Sequence, residues 1–131
     1  MAHWSDNYIG QEYRLGDADC AALFARVSWE VFGHTPPTEA DIERAQSAFG
    51  RALQVADGVD SLGKPADSPK EGDAVLMMCR GRPSHIGVFC VVDGEKCVLH
   101  AMQNAGMVVR HRLRELHRVN LQVEGFYTWV S

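Results

Sequence analysis

Cys20 lies in the stretch Asp17-Ala18-Asp19-Cys20-Ala21-Ala22-Leu23-Phe24, at the start of a segment whose apolar residues recur at helical spacing. Cys20, Leu23, Phe24, Val27 and Val31 fall on one stripe, which predicts an amphipathic helix stopped by Gly33. Asp17 and Asp19 are both good N-cap residues, so Cys20 is expected in the first helical turn. Unsatisfied backbone N–H groups and the positive end of the macrodipole favour a thiolate there, and a thiolate is a nucleophile. A plain packing role also fits, because cysteine is among the most buried residue types and Cys20 continues the Leu23/Phe24/Val27 stripe. The choice between the two turns on whether the chain supplies a base.

His85 and His100 are the candidates. Asp93-Gly94 separates two extended apolar runs, a strong hairpin signal. A two-residue turn there pairs Val92 with Glu95, Val91 with Lys96, Cys90 with Cys97, Gly87 with His100 and His85 with Met102. Side chains alternate with period two, so His85, Gly87, Phe89 and Val91 share a face with Lys96, Val98, His100 and Met102. The histidines become diagonal neighbours, and Gly87 beside them leaves room for the rings. A three-residue loop would put them on opposite faces. Each histidine alone reads as an ordinary strand-end residue. Two on one face, with a cysteine at a helix N-terminus, give the logic of a cysteine peptidase: a nucleophile, a base, and a polar group that orients the base. Both rings are then expected on the face toward the Cys20 helix. Tyr13 is expected half-buried against that helix, its hydroxyl within reach of a site beside Cys20. His3, His34, His111 and His117 lack such a context and are expected at the surface.

The elements that must position these residues follow in order. Trp4, Tyr8 and Ile9 suggest a short helix that stops at Gly10. After Pro36-Pro37 a second helix begins at Thr38, with Ile42, Ala45, Phe49, Leu53 and Ala56 on its buried face. Asp57 to Asp73 reads as a loop, and a loop this long often rims a functional cleft. Ala74–Cys79, His85–Val92, Lys96–Met102, Met107–Arg112 and Val123–Val130 read as strands, with a loop at Arg80–Pro83 and a helical turn at Leu113–His117. Helices first and an antiparallel sheet after them mean α+β. The 131 residues suffice for a single domain, 1–131.

Composition excludes several classes. Net charge is −4 with basic residues spread along the chain, which argues against nucleic acid as a partner. Membrane insertion is not expected, because no apolar stretch is long enough to span, and the N-terminal residues do not read as a signal peptide. No cysteine or histidine pair has zinc-site spacing, so neither a metal nor another cofactor is expected. The four cysteines are irregularly spaced and are expected as free thiols, with Cys20 the most reactive of them.

Taken together the motifs resemble the NlpC-type cell-wall cysteine peptidases, a papain-like family, and most closely the branch found in phage tails and prophages. The likeness runs through Tyr8-Ile9-Gly10, Tyr13-Arg14-Leu15-Gly16, Asp19-Cys20 with Leu23, and Glu30-Val31-Phe32-Gly33. It continues through Gly72-Asp73-Ala74-Val75-Leu76, His85-Ile86-Gly87-Val88, Leu99-His100-Ala101 and Val123-Glu124-Gly125-Phe126-Tyr127. The resemblance implies a papain-like fold with N-terminal helices packed on a C-terminal antiparallel sheet. It implies Cys20 as nucleophile, His85 as base, His100 as the group that orients it, and Tyr13 with a backbone N–H near Cys20 as oxyanion donors. Asp19 would cap the helix beside the nucleophile. The implied substrate is the peptide stem of peptidoglycan, cut between D-glutamate and the diamino acid. Tail-tip proteins are the implied partners, with synthesis in the bacterial cytoplasm and incorporation into a virion tail. Ala21-Ala22 replaces the Ser-Gly or Trp-Gly that usually follows Asp-Cys, so substrate preference does not carry over. Two other readings stay open: a tail component that keeps the fold and catalyses little, and a thiol acyltransferase on the same fold.

Overall fold

The structure, a computed structural model, describes residues 3–14, 20–33, 64–65, 68–79 and 82–128. Their frame is a six-stranded antiparallel sheet ordered β1-β6-β2-β3-β4-β5. The strands are β1 (Lys64–Pro65), β2 (Ala74–Cys79), β3 (Arg82–Val92), β4 (Glu95–Met102), β5 (Met107–Arg112) and β6 (Leu121–Thr128). One helix, α1 (Cys20–Glu30), packs on β3 and β4.

The sheet has two apolar faces because β2, β3 and β4 carry apolar residues at both parities. On one face Leu76, Ile86, Val88, Leu99 and Ala101 meet Leu23, Phe24 and Val27 of α1. On the other, Val75, Met77, Phe89 and Val98 pack with Leu121 and with Leu116 of a 3-10 helix, Leu113–Val119. Each fully buried Leu or Phe contributes about 1.5–3 kcal/mol, so burial of both faces fixes the sheet between its two covers. Val31 N–H bonds to Val27 O and Gly33 N–H to Trp29 O, and Gly33 ends α1 at φ +72°.

The hairpin forms at the expected turn. Asp93 (φ 52°) and Gly94 (φ 78°) both take positive φ, as a two-residue type I′ turn requires. Val92 pairs with Glu95, Val91 with Lys96 and Cys90 with Cys97. The ladder ends at Val88↔Leu99, so Gly87–His100 and His85–Met102 do not join it. Cys90 and Cys97 are free thiols in the interior.

Three expectations about elements change. Arg82 and Pro83 belong to β3, paired with Cys79 and Met78. A register shift between Met77 and Met78 accommodates the proline, which cannot donate to a regular ladder. Lys64–Pro65, inside the expected loop, pairs with Thr128 and Tyr127. β6 begins at Leu121, two positions before the expected Val123. The expected second helix from Thr38 lies outside the described residues.

The N-terminal segment is tied to β5. His3 caps a 3-10 turn at Trp4–Asn7, as its ring accepts from Ser5 N–H while its own N–H donates to Asp6. Gly10 N–H then bonds to Val108 O, Val108 N–H to Gln11 O, and Tyr13 N–H to Gly106 O. These bonds bring Tyr13, half-buried as expected, against the same apolar cluster as Cys20.

Candidate active site

His85 and His100 are brought together. His85 Nε2 lies 2.7 Å from His100 Nδ1, with ring centroids 4.8 Å apart in an edge-to-face arrangement. Gly87 makes this possible. A Cβ there would stand 2.9 Å from Leu99 O and closer still to Val98 Cγ2, nearer than real side chains come, and 3.1 Å from His100 Cβ, tighter than most real contacts. His85 Nδ1 makes no hydrogen bond among the described residues, so one nitrogen of that ring is left for a reacting group.

A third ring joins them. His100 Nε2 lies 2.9 Å from His111 Nδ1. His111 was expected at the surface; it is half-buried and ends a row of three imidazoles. His3 is likewise half-buried, capping its turn and meeting Glu71 Oε1 at 3.2 Å. His117 is exposed as expected, and His34 lies outside the described residues.

The face of this row differs from expectation. His85 pairs with Met77, and His100 lies two residues from Val98, so both share the face of the Met77/Phe89/Val98 cluster. α1 packs on the other face, over Ile86, Val88, Leu99 and Ala101, and Cys20 packs there too. The physical reason is alternation. The apolar residues of β3 and β4 that flank the histidines bury more favourably than imidazoles against Leu23, Phe24 and Val27. Cys20 itself is the first residue of α1 and is partly exposed. Asp17 and Asp19, the expected caps, lie outside the described residues.

Burial keeps His85 and His100 neutral. Burial pushes the His85 pKa down to about 4. Burial, with the neighbouring His85 and His111 rings, pushes His100 down to about 2. Below the ordinary value of 6.5 the unfolded chain therefore binds protons that the folded chain refuses. The stability these rings contribute is present above pH 6.5 and is lost as pH falls toward 4, with His100 extending the loss further. Each such histidine costs about 1.4 kcal/mol per pH unit in that window. Urea unfolding at pH 7, 6 and 5 is expected to show this slope, reduced in His100→Gln. Stability that stays level from pH 7 to 5 contradicts the burial of neutral rings.

Among the described residues no group of three His, Cys, Asp or Glu side chains could hold a metal ion, and no helix is long and apolar enough to cross a membrane. A cavity of about 370 Å³ lies at the turn end of the hairpin, lined by Cys97, Arg110, Arg112 and Glu115 among others, away from the histidine row. Its arginines are occupied: Arg112 pairs with Glu115 at 3.1 Å, and Arg110 donates to Ser5 at 2.7 Å and to Asp6.

The fold has a counterpart among solved structures. The NlpC/p60 domain of the peptidoglycan hydrolase SagA superposes with a TM-score of 0.56 at 18% identity, over 95% of this chain and 92% of that one. The fold is similar to that of this domain. An N-acetylmuramoyl-L-alanine amidase from Bacteroides uniformis is more distant, with a TM-score of 0.36 at 16% identity over 94% of this chain and 54% of that one. No protein-family model matches the sequence, and no curated protein does. Within this fold, sequence reasoning placed His85 and His100 together and missed His111. The missed signal was the turn at Asn104-Ala105-Gly106, which sets His111 opposite Val98 on β4.

Proposed function

We propose that this chain is a cysteine-dependent hydrolase of peptidoglycan peptides, acting on the stem between D-glutamate and the diamino acid. The observation that carries the reading is the His85–His100 hydrogen bond, which leaves His85 Nδ1 bare on a strand against which the Cys20 helix packs. Support also comes from the shared fold with a domain whose name is that of a peptidoglycan hydrolase, and from the sequence motifs around Cys20, His85 and His100.

In this reading Cys20 Sγ attacks the amide carbonyl carbon as His85 Nδ1 takes the thiol proton. The oxyanion is met by a backbone N–H at the start of α1 and by the Tyr13 hydroxyl. The C–N bond breaks as His85 returns the proton to the leaving amine. Water, activated by the same ring, then hydrolyses the thioester. The reading makes one demand on the fold. With the histidines on the face away from α1, the thiol must meet His85 at the N-terminal end of the helix and not beneath it. No cofactor is needed. Service in a phage tail tip belongs to the same proposal through the sequence resemblance alone.

A second reading is favoured by one observation, the placement of α1 and the histidine row on opposite faces: a structural component that keeps the fold and catalyses little. Muropeptide digestion separates the two. Wild-type protein is expected to release fragments whose masses match cleavage at the D-glutamyl bond, and Cys20→Ala to release none. Equal release by both proteins, or by neither, contradicts the proposed hydrolase.

A further inference from the structure

His111 is the residue the peptidase reading does not use. It stands on β5 opposite Val98, and alternation puts its ring on the face of Val98 and His100. The centroids of His100 and His111 are 5.1 Å apart, with Nδ1 of His111 2.9 Å from Nε2 of His100. His100 is fully buried, and both of its nitrogens are engaged by neighbouring imidazoles.

A neutral imidazole has one donor nitrogen and one acceptor. His100 must therefore donate through one nitrogen and accept through the other, so both hydrogen bonds run the same way along the row. In one direction His85 Nε2–H donates to His100 Nδ1 and His100 Nε2–H donates to His111 Nδ1. His85 then keeps a lone pair on Nδ1. In the other direction His111 Nδ1–H donates, His100 passes the order on, and His85 Nδ1 carries the proton. Only the first direction leaves His85 a base toward a nucleophile. It also places all three rings in the Nε2–H form, which free neutral histidine favours.

We propose that His111 is a positioning residue: as the terminal acceptor of a three-imidazole row, it holds His85 in the tautomer whose Nδ1 is bare. Its consequence for turnover rests on the peptidase reading, whereas the tautomers do not. Removing the acceptor leaves a buried His100 N–H unpaired, which favours reversal of the row.

Nitrogen NMR of the full chain with isotope-labelled histidine tests it. In wild type the proton is expected on Nε2 of His85, His100 and His111. In His111→Leu the His85 proton is expected to move to Nδ1. In His111→Asn, whose Oδ1 accepts, the wild-type tautomers are expected to return. On muropeptides, kcat is expected to fall about tenfold in His111→Leu with KM held, and to recover in His111→Asn. A proton on His111 Nδ1 in wild type overturns the proposal, as does an unchanged His85 tautomer in His111→Leu. The wild-type spectrum decides even where the leucine variant does not fold. Inactive wild type with the assigned tautomers removes the peptidase reading and leaves the row; active wild type with His111 Nδ1–H does the reverse.

Discussion

Replacing His85 by alanine is expected to abolish muropeptide cleavage, with kcat falling by roughly 10⁶, the size of effect seen when the base of a nucleophile–histidine pair is lost. His85 Nδ1 and His111 Nε2 are the two nitrogens of the row without a hydrogen-bond partner among the described residues, and of the two only His85 stands on a strand against which the Cys20 helix packs. His100→Ala is expected to leave measurable turnover, because His100 orients the base and takes no proton itself. Its depressed pKa agrees with that role, since a ring held near 2 by burial and by two neighbouring imidazoles stays neutral while His85 cycles. Steady-state kinetics on a purified muropeptide compare the variants. Greater loss in His100→Ala than in His85→Ala swaps their roles, and wild-type rates in both remove catalysis from the pair.

Much of this arrangement was legible in the residues. Asp93-Gly94 fixed the turn because two positive φ values suit Asp and Gly, and the turn fixed which residue faces Cys90. That register and the absence of a side chain at Gly87 brought His85 and His100 onto one face. The choice of face for that pair was misread, although the sequence held the information. Ile86, Val88, Leu99 and Ala101 form the apolar row that an apolar helix stripe must cover, and the histidines alternate with it. His111 was missed because its position depends on a second register, Met102↔Met107 through Val98↔His111, set by the following turn. Lys64–Pro65 carried no local signal; two residues become a strand only when Tyr127 and Thr128 arrive from the far end of the chain. Pro83 read as loop because a proline in a strand needs a bulge, and the bulge appears only when β3 pairs with β2, where Met77 and Met78 face His85 and Pro83 and skip position 84.

The central claim is that Cys20 and His85 act as a pair, and alkylation of Cys20 measures it most directly. Burial, then the neighbouring Cys97 and Glu71, push the Cys90 thiol up to about 12, and burial also raises Cys97. A thiol held there is only about one part in 10⁵ thiolate at pH 7. Cys20 is the first residue of α1 and is only partly buried. Site-resolved labelling of the folded protein with iodoacetamide at pH 7, read by mass spectrometry, is expected to modify Cys20 at least about tenfold faster than Cys90 or Cys97. The rate at Cys20 is expected to drop severalfold in His85→Ala, where no imidazole remains to take its proton, while Cys90 and Cys97 are unchanged. A Cys20 rate that is the same with and without the His85 ring contradicts the pairing and, with it, the peptidase.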